Sequence, residues 1–273
     1  MKKLYIISLL FVFVISTSAQ TYEDMVSRAM DYIDLKDYAA AEQAMKAALR
    51  KEPANPNNVM LMVNLGTIQR NLGEFDDALI SYNVAIERYP ENPVLKHNRA
   101  VLYCDMRRFD DAMKDYNAIL LANPEDTEAL YQRGLLYLNN KSFLAAENDF
   151  DEILKKEPEN LRGKTGIAML MKRRGEFKEA EGLYSDLIYK YKSNADLYYN
   201  RAECYLQMNR LARANEDIAK ALELGCNDPL IYILRGQLRL VQYDKRLAKE
   251  DFLKAQEMGV GEDIVSYFLQ LCK

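Results

Sequence analysis

Residues 59–92 read VMLMVNLGTIQRNLGEFDDALISYNVAIERYPEN, and residues 93–126 read PVLKHNRAVLYCDMRRFDDAMKDYNAILLANPED. Both stretches are 34 residues long, and they place Gly66 with Ala100, Phe75 with Phe109, Ala78 with Ala112, Tyr82 with Tyr116 and Pro90 with Pro124. A fixed period of this size marks a repeat architecture. Carried in both directions, the register gives seven units at 22–55, 59–92, 93–126, 127–160, 161–194, 195–228 and 229–262, with Pro56-Asn57-Asn58 as an insertion. Position twenty is alanine throughout: Ala41, Ala78, Ala112, Ala146, Ala180, Ala214 and Ala248. Position eight is only glycine or alanine: Ala29, Gly66, Ala100, Gly134, Ala168, Ala202 and Gly236.

Each unit reads as a helical hairpin. Asn92, Asp126, Asn160, Asn194 and Asp228 precede the units, where their side chains accept from unpaired helix N–H groups. Pro93 and Pro229 follow, at a helix position that tolerates proline. Gly73 and Gly175 stand where a first helix ends and a left-handed residue is wanted. Small residues at positions eight and twenty let the two helices close, and large neighbours fill the gaps.

The sequence of a large residue, Leu-Gly, Ala, an aromatic and Pro (Met62, Leu65-Gly66, Ala78, Tyr82 and Pro90) resembles the tetratricopeptide repeat family over residues 22–262. The resemblance implies an all-α, right-handed superhelical solenoid of about seven helix-turn-helix units. Departures are the absence of tryptophan and the replacement of the closing proline by Lys192, Cys226 and Val260. Arg239 and Lys245 at usually aromatic positions suggest that unit seven is loose or atypical. Asp263 to Lys273 reads as a C-terminal capping helix, since a terminal repeat otherwise leaves its apolar face wet.

Lys2 and Lys3 precede an apolar run, Leu4 to Ile15, and small residues follow to Ala19. This predicts a signal peptide over residues 1–19. Twelve helical residues rise only about 18 Å, too little to span a bilayer. The expected location is exported: secreted or, in a bacterium, periplasmic, with association to the outer membrane through a partner. No transmembrane segment is expected in the mature chain.

The 273 residues carry 37 Lys and Arg against 41 Asp and Glu, a formal charge of −4, with no strongly basic run. That argues against nucleic acid or an anionic membrane as a partner. One histidine and four scattered cysteines fit no zinc module, and neither metal nor cofactor is expected. Cys104, Cys204, Cys226 and Cys272 read as idle or buried thiols, with one disulfide as the alternative. His97 reads as a solvated side chain. Asp76-Asp77 and Asp110-Asp111 complement helix dipoles, or else serve as acid–base pairs. The chain is therefore read as non-enzymatic.

Position seven holds Arg28, Arg99, Arg133, Arg201 and Arg235, and position twenty-three holds Asp115, Asp149, Asp217 and Asp251. All four Asp fall in units that carry the Arg. The pattern predicts bridges within the hairpins: Arg99–Asp115, Arg133–Asp149, Arg201–Asp217 and Arg235–Asp251.

By the resemblance, first helices line a concave groove that holds a peptide or a helix of a partner. Position six reads Asn64, Asn98, Gln132, Gly166, Asn200 and Leu234, similar to a ladder of amides that grips an extended backbone, or else a mere sequence preference. Lys at position five with Asn at position nine occurs in no unit, so a carboxylate clamp for chaperone tails is not expected. Tyr131, Leu135, Arg162, Arg173, Tyr199 and, in unit seven, Leu234 and Leu240 complete the expected groove. The expected function is a non-enzymatic protein-binding scaffold that holds parts of an envelope assembly together, with a partner's peptide or helix in that groove. The alternative is a homo-oligomer joined through the apolar surface of unit seven.

Overall fold

A computed structural model describes residues 20–273; the expected signal peptide, residues 1–19, lies outside them. The described residues form fifteen helices and no strand. In order these are α1 (Tyr22–Asp34), α2 (Tyr38–Lys51), α3 (Asn58–Leu72), α4 (Phe75–Arg88), α5 (Pro93–Asp105), α6 (Phe109–Ala122), α7 (Thr127–Asn139) and α8 (Phe143–Lys156). They continue as α9 (Leu161–Arg174), α10 (Phe177–Lys190), α11 (Ala195–Gln207), α12 (Leu211–Glu223), α13 (Leu230–Val241), α14 (Lys245–Glu257) and α15 (Glu262–Leu271). The chain divides into two compact parts, one ending at Ala112 and the other spanning Met113–Lys273, with the division inside α6.

Within each part, helices pack as antiparallel hairpins stacked on the next pair: α1 on α2 and α3 on α4 in the first, α7 on α8 through α13 on α14 in the second. This is an all-α tetratricopeptide-type solenoid. The local chemistry sets its boundaries. Asn92 accepts from the Val94 N–H, Asp126 from Ala129, Asn160 from Gly163 and Asn194 from Asp196 and Leu197. The turn between the helices of a hairpin needs one left-handed residue; Gly73 (φ 80°) and Gly175 (φ 82°) provide it without strain. Lys36, Arg107, Lys141, Asn209 and Tyr243 adopt the same conformation without that freedom.

The core repeats with the register. In the first part Ala29, Ala41, Met45, Leu61 and Ile68 close one cluster. In the second, Ala168, Ala180, Tyr184, Leu197 and Cys204 close another. All four cysteines are free thiols, and burial pushes the Cys204 thiol up to about 12.

Four details differ from the sequence reading. Pro229 stands at the cap of α13 rather than inside it, and the Asp228 carboxylate accepts from the Leu230 N–H. The insertion is absorbed by Asn58, which starts α3, accepts from the Tyr22 hydroxyl and donates to the Glu52 carbonyl at 2.7 Å. The last helix covers Glu262–Leu271. Unit seven is not loose: Arg239 donates to Asp251 at 2.7 Å and to the Leu247 carbonyl at 3.1 Å, a polar clasp where an aromatic was expected.

Candidate functional site: a groove in the second part

The hairpins are fastened before the groove is formed. Arg133 Nε and Nη2 donate to Asp149 at 2.9 and 2.6 Å, and Arg201 does the same to Asp217 at 2.8 Å each. Arg235 reaches Asp251 with Nη2 at 2.7 Å. These carboxylates are buried and fully engaged, so they are structural. The hydrogen bonds that Arg133 donates to Asp149 raise its pKa, against the opposing effect of its burial. Arg99 and Asp115 belong to different compact parts; within its own part, Arg99 donates to Asn83 at 2.7 Å. Unit two has Leu65 in place of the arginine, and buried Gln69 substitutes, accepting from Ser81 and donating to Glu42.

With these pairs inside, the faces of α7, α9, α11 and the start of α13 border two adjoining cavities. One, about 350 Å³, is lined by Tyr131, Gln132, Arg162, Thr165, Asp196 and Asn200 among others. The other, about 590 Å³, is lined by Lys172, Arg173, Phe177, Tyr199, Glu203 and Leu230 among others. Met169, Asn200 and Asp228 border both. Burial, together with Glu203 and Asp228, raises the Tyr199 phenol far above its ordinary range, so it is neutral and available as a donor. Tyr131 is likewise raised by burial and by Asp196.

The cations of this groove are unequal. Arg162 is paired with Glu128 and lies over the Tyr131 ring at 5.6 Å. Lys172, nearly buried, donates to Glu203 at 2.5 Å and to Asn200 at 2.7 Å. Arg173 is exposed and makes no ion pair among the described residues.

Several expected groove residues stand elsewhere. Tyr131, Gln132, Arg162, Arg173, Tyr199 and Asn200 come together; Leu135 is half-buried on α7 outside both cavities. Asn64 and Asn98 lie in the first part, where the Asn64 amide sits 4.0 Å from the Met30 sulfur. The Asn200 amide is half engaged: its oxygen accepts from Lys172 and one N–H donates to the Asp196 carbonyl at 2.8 Å. Gln132 donates to Glu128. Gly166 is glycine for packing, since a Cβ there would meet the Phe150 ring at 2.4 Å.

Leu234 and Leu240 require correction. Leu234 is 4% exposed and packs with Tyr205, Ile218 and Leu238. Leu240 is half-buried and packs, alongside Phe268 and Leu269 of α15, against the cluster that holds Ile233. The terminal helix packs onto unit seven, and neither leucine lines either cavity. The sequence reading missed Asp228 and Asn194 as lining residues, because their capping role hid their position at the groove's edge.

Among the described residues, no group of three or more metal-ligating side chains occurs, and no helix is long and apolar enough to cross a membrane. A family model described as "Tetratricopeptide repeat" matches residues 26–93, 97–160 and 166–229. A tetratricopeptide repeat protein from Parabacteroides merdae is similar at 41% identity, over 93% of this chain and 99% of that one, with a TM-score of 0.82. A thermophilic repeat protein from Thermus thermophilus is similar in fold (19% identity, 66% and 98% coverage, TM-score 0.59). So is PilW, a type IV pilus biogenesis factor (19% identity, 74% and 93% coverage, TM-score 0.61). No curated protein sequence matches the chain.

Proposed function

The chain belongs to the tetratricopeptide repeat family, and on that premise we propose that it is a non-catalytic scaffold holding a segment of a partner protein against α7, α9, α11 and α13. The observation that carries the reading is Arg173. It is a cation without an ion-pair partner, at a cavity of about 590 Å³ walled by Tyr199, Phe177 and Leu230. Apolar and aromatic walls supply contact area, and one uncommitted charge supplies register. The segment that fits brings an acidic side chain to Arg173 and apolar side chains to its flanks. Lys2, Lys3 and the apolar run to Ile15 support export, and with it a place in an envelope assembly.

Selection of peptides on the immobilised chain tests this. Peptides so obtained lose at least about tenfold in affinity on Arg173→Glu, and again on Tyr199→Ala. Selected peptides indifferent to both changes remove the groove from consideration.

A second reading is self-association at the C-terminal end. It is favoured by Ile264, Tyr267 and Leu271, which form an exposed apolar stripe on α15. A monomer in light scattering at micromolar concentration excludes it.

A further inference from the structure

The repeats of the second part segregate charge in a way that no run of sequence reveals. α7 packs on α9 and α11 on α13, while α10 lies antiparallel between α9 and α11. The turns leaving these first helices therefore meet on one edge. Ion pairs cross between neighbouring turns there: Arg174 with Glu147 at 2.6 Å and Arg210 with Glu181 at 4.0 Å. Along this edge Lys141, Lys178, Arg213 and Lys245 are exposed and make no ion pair among the described residues. They stand about one repeat apart in sequence, which is why the chain shows no basic run. Glu176, Glu179 and Asp244 share the edge, but Asp244 is spent on capping the Leu247 N–H.

The opposite edge is different. Most of its lysines are consumed by carboxylates, Lys156 by Glu125 at 3.0 Å, Lys164 by Glu159 at 2.7 Å and Lys190 by Glu159 at 3.4 Å, while exposed Lys192 lies over the Tyr189 ring at 5.7 Å.

A second observation is independent of charge. Tyr243, at the tip of the last turn, is 92% exposed in a left-handed conformation (φ 63°), where an aromatic side chain is strained and a glycine would be free. Leu144, on the same edge, is 71% exposed. Exposed aromatic and apolar side chains among cations suit the boundary between lipid headgroups and acyl chains.

We propose that this edge docks on an anionic bilayer surface, with Lys141, Lys178, Arg213 and Lys245 meeting lipid phosphates while Tyr243 and Leu144 enter the headgroup region. None of the four cations lines either groove cavity.

Sedimentation of the full chain with vesicles tests this. Vesicles of equal parts phosphatidylglycerol and phosphatidylcholine bind it, and added salt weakens the binding. Phosphatidylcholine vesicles give the background due to the apolar run at residues 4–15. Reversing the four cations (Lys141→Glu, Lys178→Glu, Arg213→Glu, Lys245→Glu) lowers anionic partitioning at least about a hundredfold with helicity unchanged. Should the reversal unfold the chain, glutamine at the same four positions gives the comparison. The chain has no tryptophan, so Tyr243→Trp supplies a single reporter, whose emission shifts to the blue on anionic vesicles alone. Tyr243→Gly raises the melting temperature yet weakens partitioning, a combination that a purely structural role does not produce. Equal binding to neutral vesicles, or undiminished binding by the charge variants, overturns the proposal. So does capture of polyglutamate or single-stranded nucleic acid without vesicle binding.

Discussion

Arg133 donates Nη1 to Asn117 at 2.8 Å, sixteen residues back in the chain, while Nε and Nη2 grip Asp149 sixteen residues ahead. One guanidinium thus joins its own hairpin to the one before it. Arg201 repeats the arrangement with Ser185 behind and Asp217 ahead. Asp149→Ala should destabilise the protein by about 3 kcal/mol, because it strands a partly buried cation. Arg133→Leu combined with Asp149→Leu should recover much of that loss, and Asn117→Ala alone should cost only about 1 kcal/mol. Urea unfolding of the three variants provides the comparison; a double variant as weak as Asp149→Ala defeats the pairing argument.

Gly166→Ala should be more damaging than an ordinary helical glycine-to-alanine change. In an open helix the replacement gains about 1 kcal/mol. Here the added methyl would stand 2.4 Å from Phe150, itself closely applied to Gly134. A net loss of about 1–3 kcal/mol is expected from overpacking. Phe150→Leu in the same chain should relieve part of it, as read from the melting temperatures.

Two buried tyrosines should respond differently to loss of their hydroxyls. Thr67 gives its proton to the Val63 carbonyl, so the Tyr82 hydroxyl is the donor in their 3.0 Å contact. In unit five Met169 stands where unit two has Thr67, and the buried Tyr184 hydroxyl has no hydrogen-bond partner among the described residues. Tyr82→Phe should therefore cost about 1 kcal/mol, while Tyr184→Phe should be neutral or stabilising. Equal losses in chemical denaturation would mean that the Tyr184 hydroxyl is satisfied.

Stability should fall on acidification partly through Glu42. Burial raises its pKa, but hydrogen bonds from Lys46 and Gln69 outweigh that and leave it below the ordinary 4.5. A depressed carboxylate contributes stability that is fully present above its unfolded pKa and is lost as pH falls through the folded value. Glu42→Gln should flatten the melting temperature between about pH 5 and pH 3 relative to the unaltered chain. Parallel curves would assign the acid sensitivity to other groups.

The hairpins were legible in the sequence because their causes are local and recur: an alanine every 34 residues, a capping Asn or Asp, and an aromatic to fill the gap. The forward partners of Arg133, Arg201 and Arg235 were legible for the same reason, as Asp stands at position twenty-three only in units that carry the Arg. The backward partners Asn83, Asn117 and Ser185 were not, although each stands sixteen residues before its arginine, because they alternate between amide and hydroxyl. Groove membership was only partly legible. Register says which way Asn200 and Leu234 point, but not that Lys172 has already taken the amide or that neighbouring helices have closed over the leucine. Such competition between neighbours is a property of packing and leaves no periodic mark.

Unit five has Ile167 at the arginine position, so no position-seven guanidinium reaches back from it; Arg162 and Arg174 pair with Glu128 and Glu147 of unit four at the margins of the seam. At that junction the Phe150 ring lies between Gly134 and Gly166 instead. In a stack whose stability is a sum over nearest neighbours, this seam adds an aromatic wedge to ion pairs at its margins. The wedge depends on hydrophobic driving force, which fades on cooling, and the pairs weaken as salt screens them. Cold and salt therefore act on the junction of α8 and α9 through different parts of the same seam.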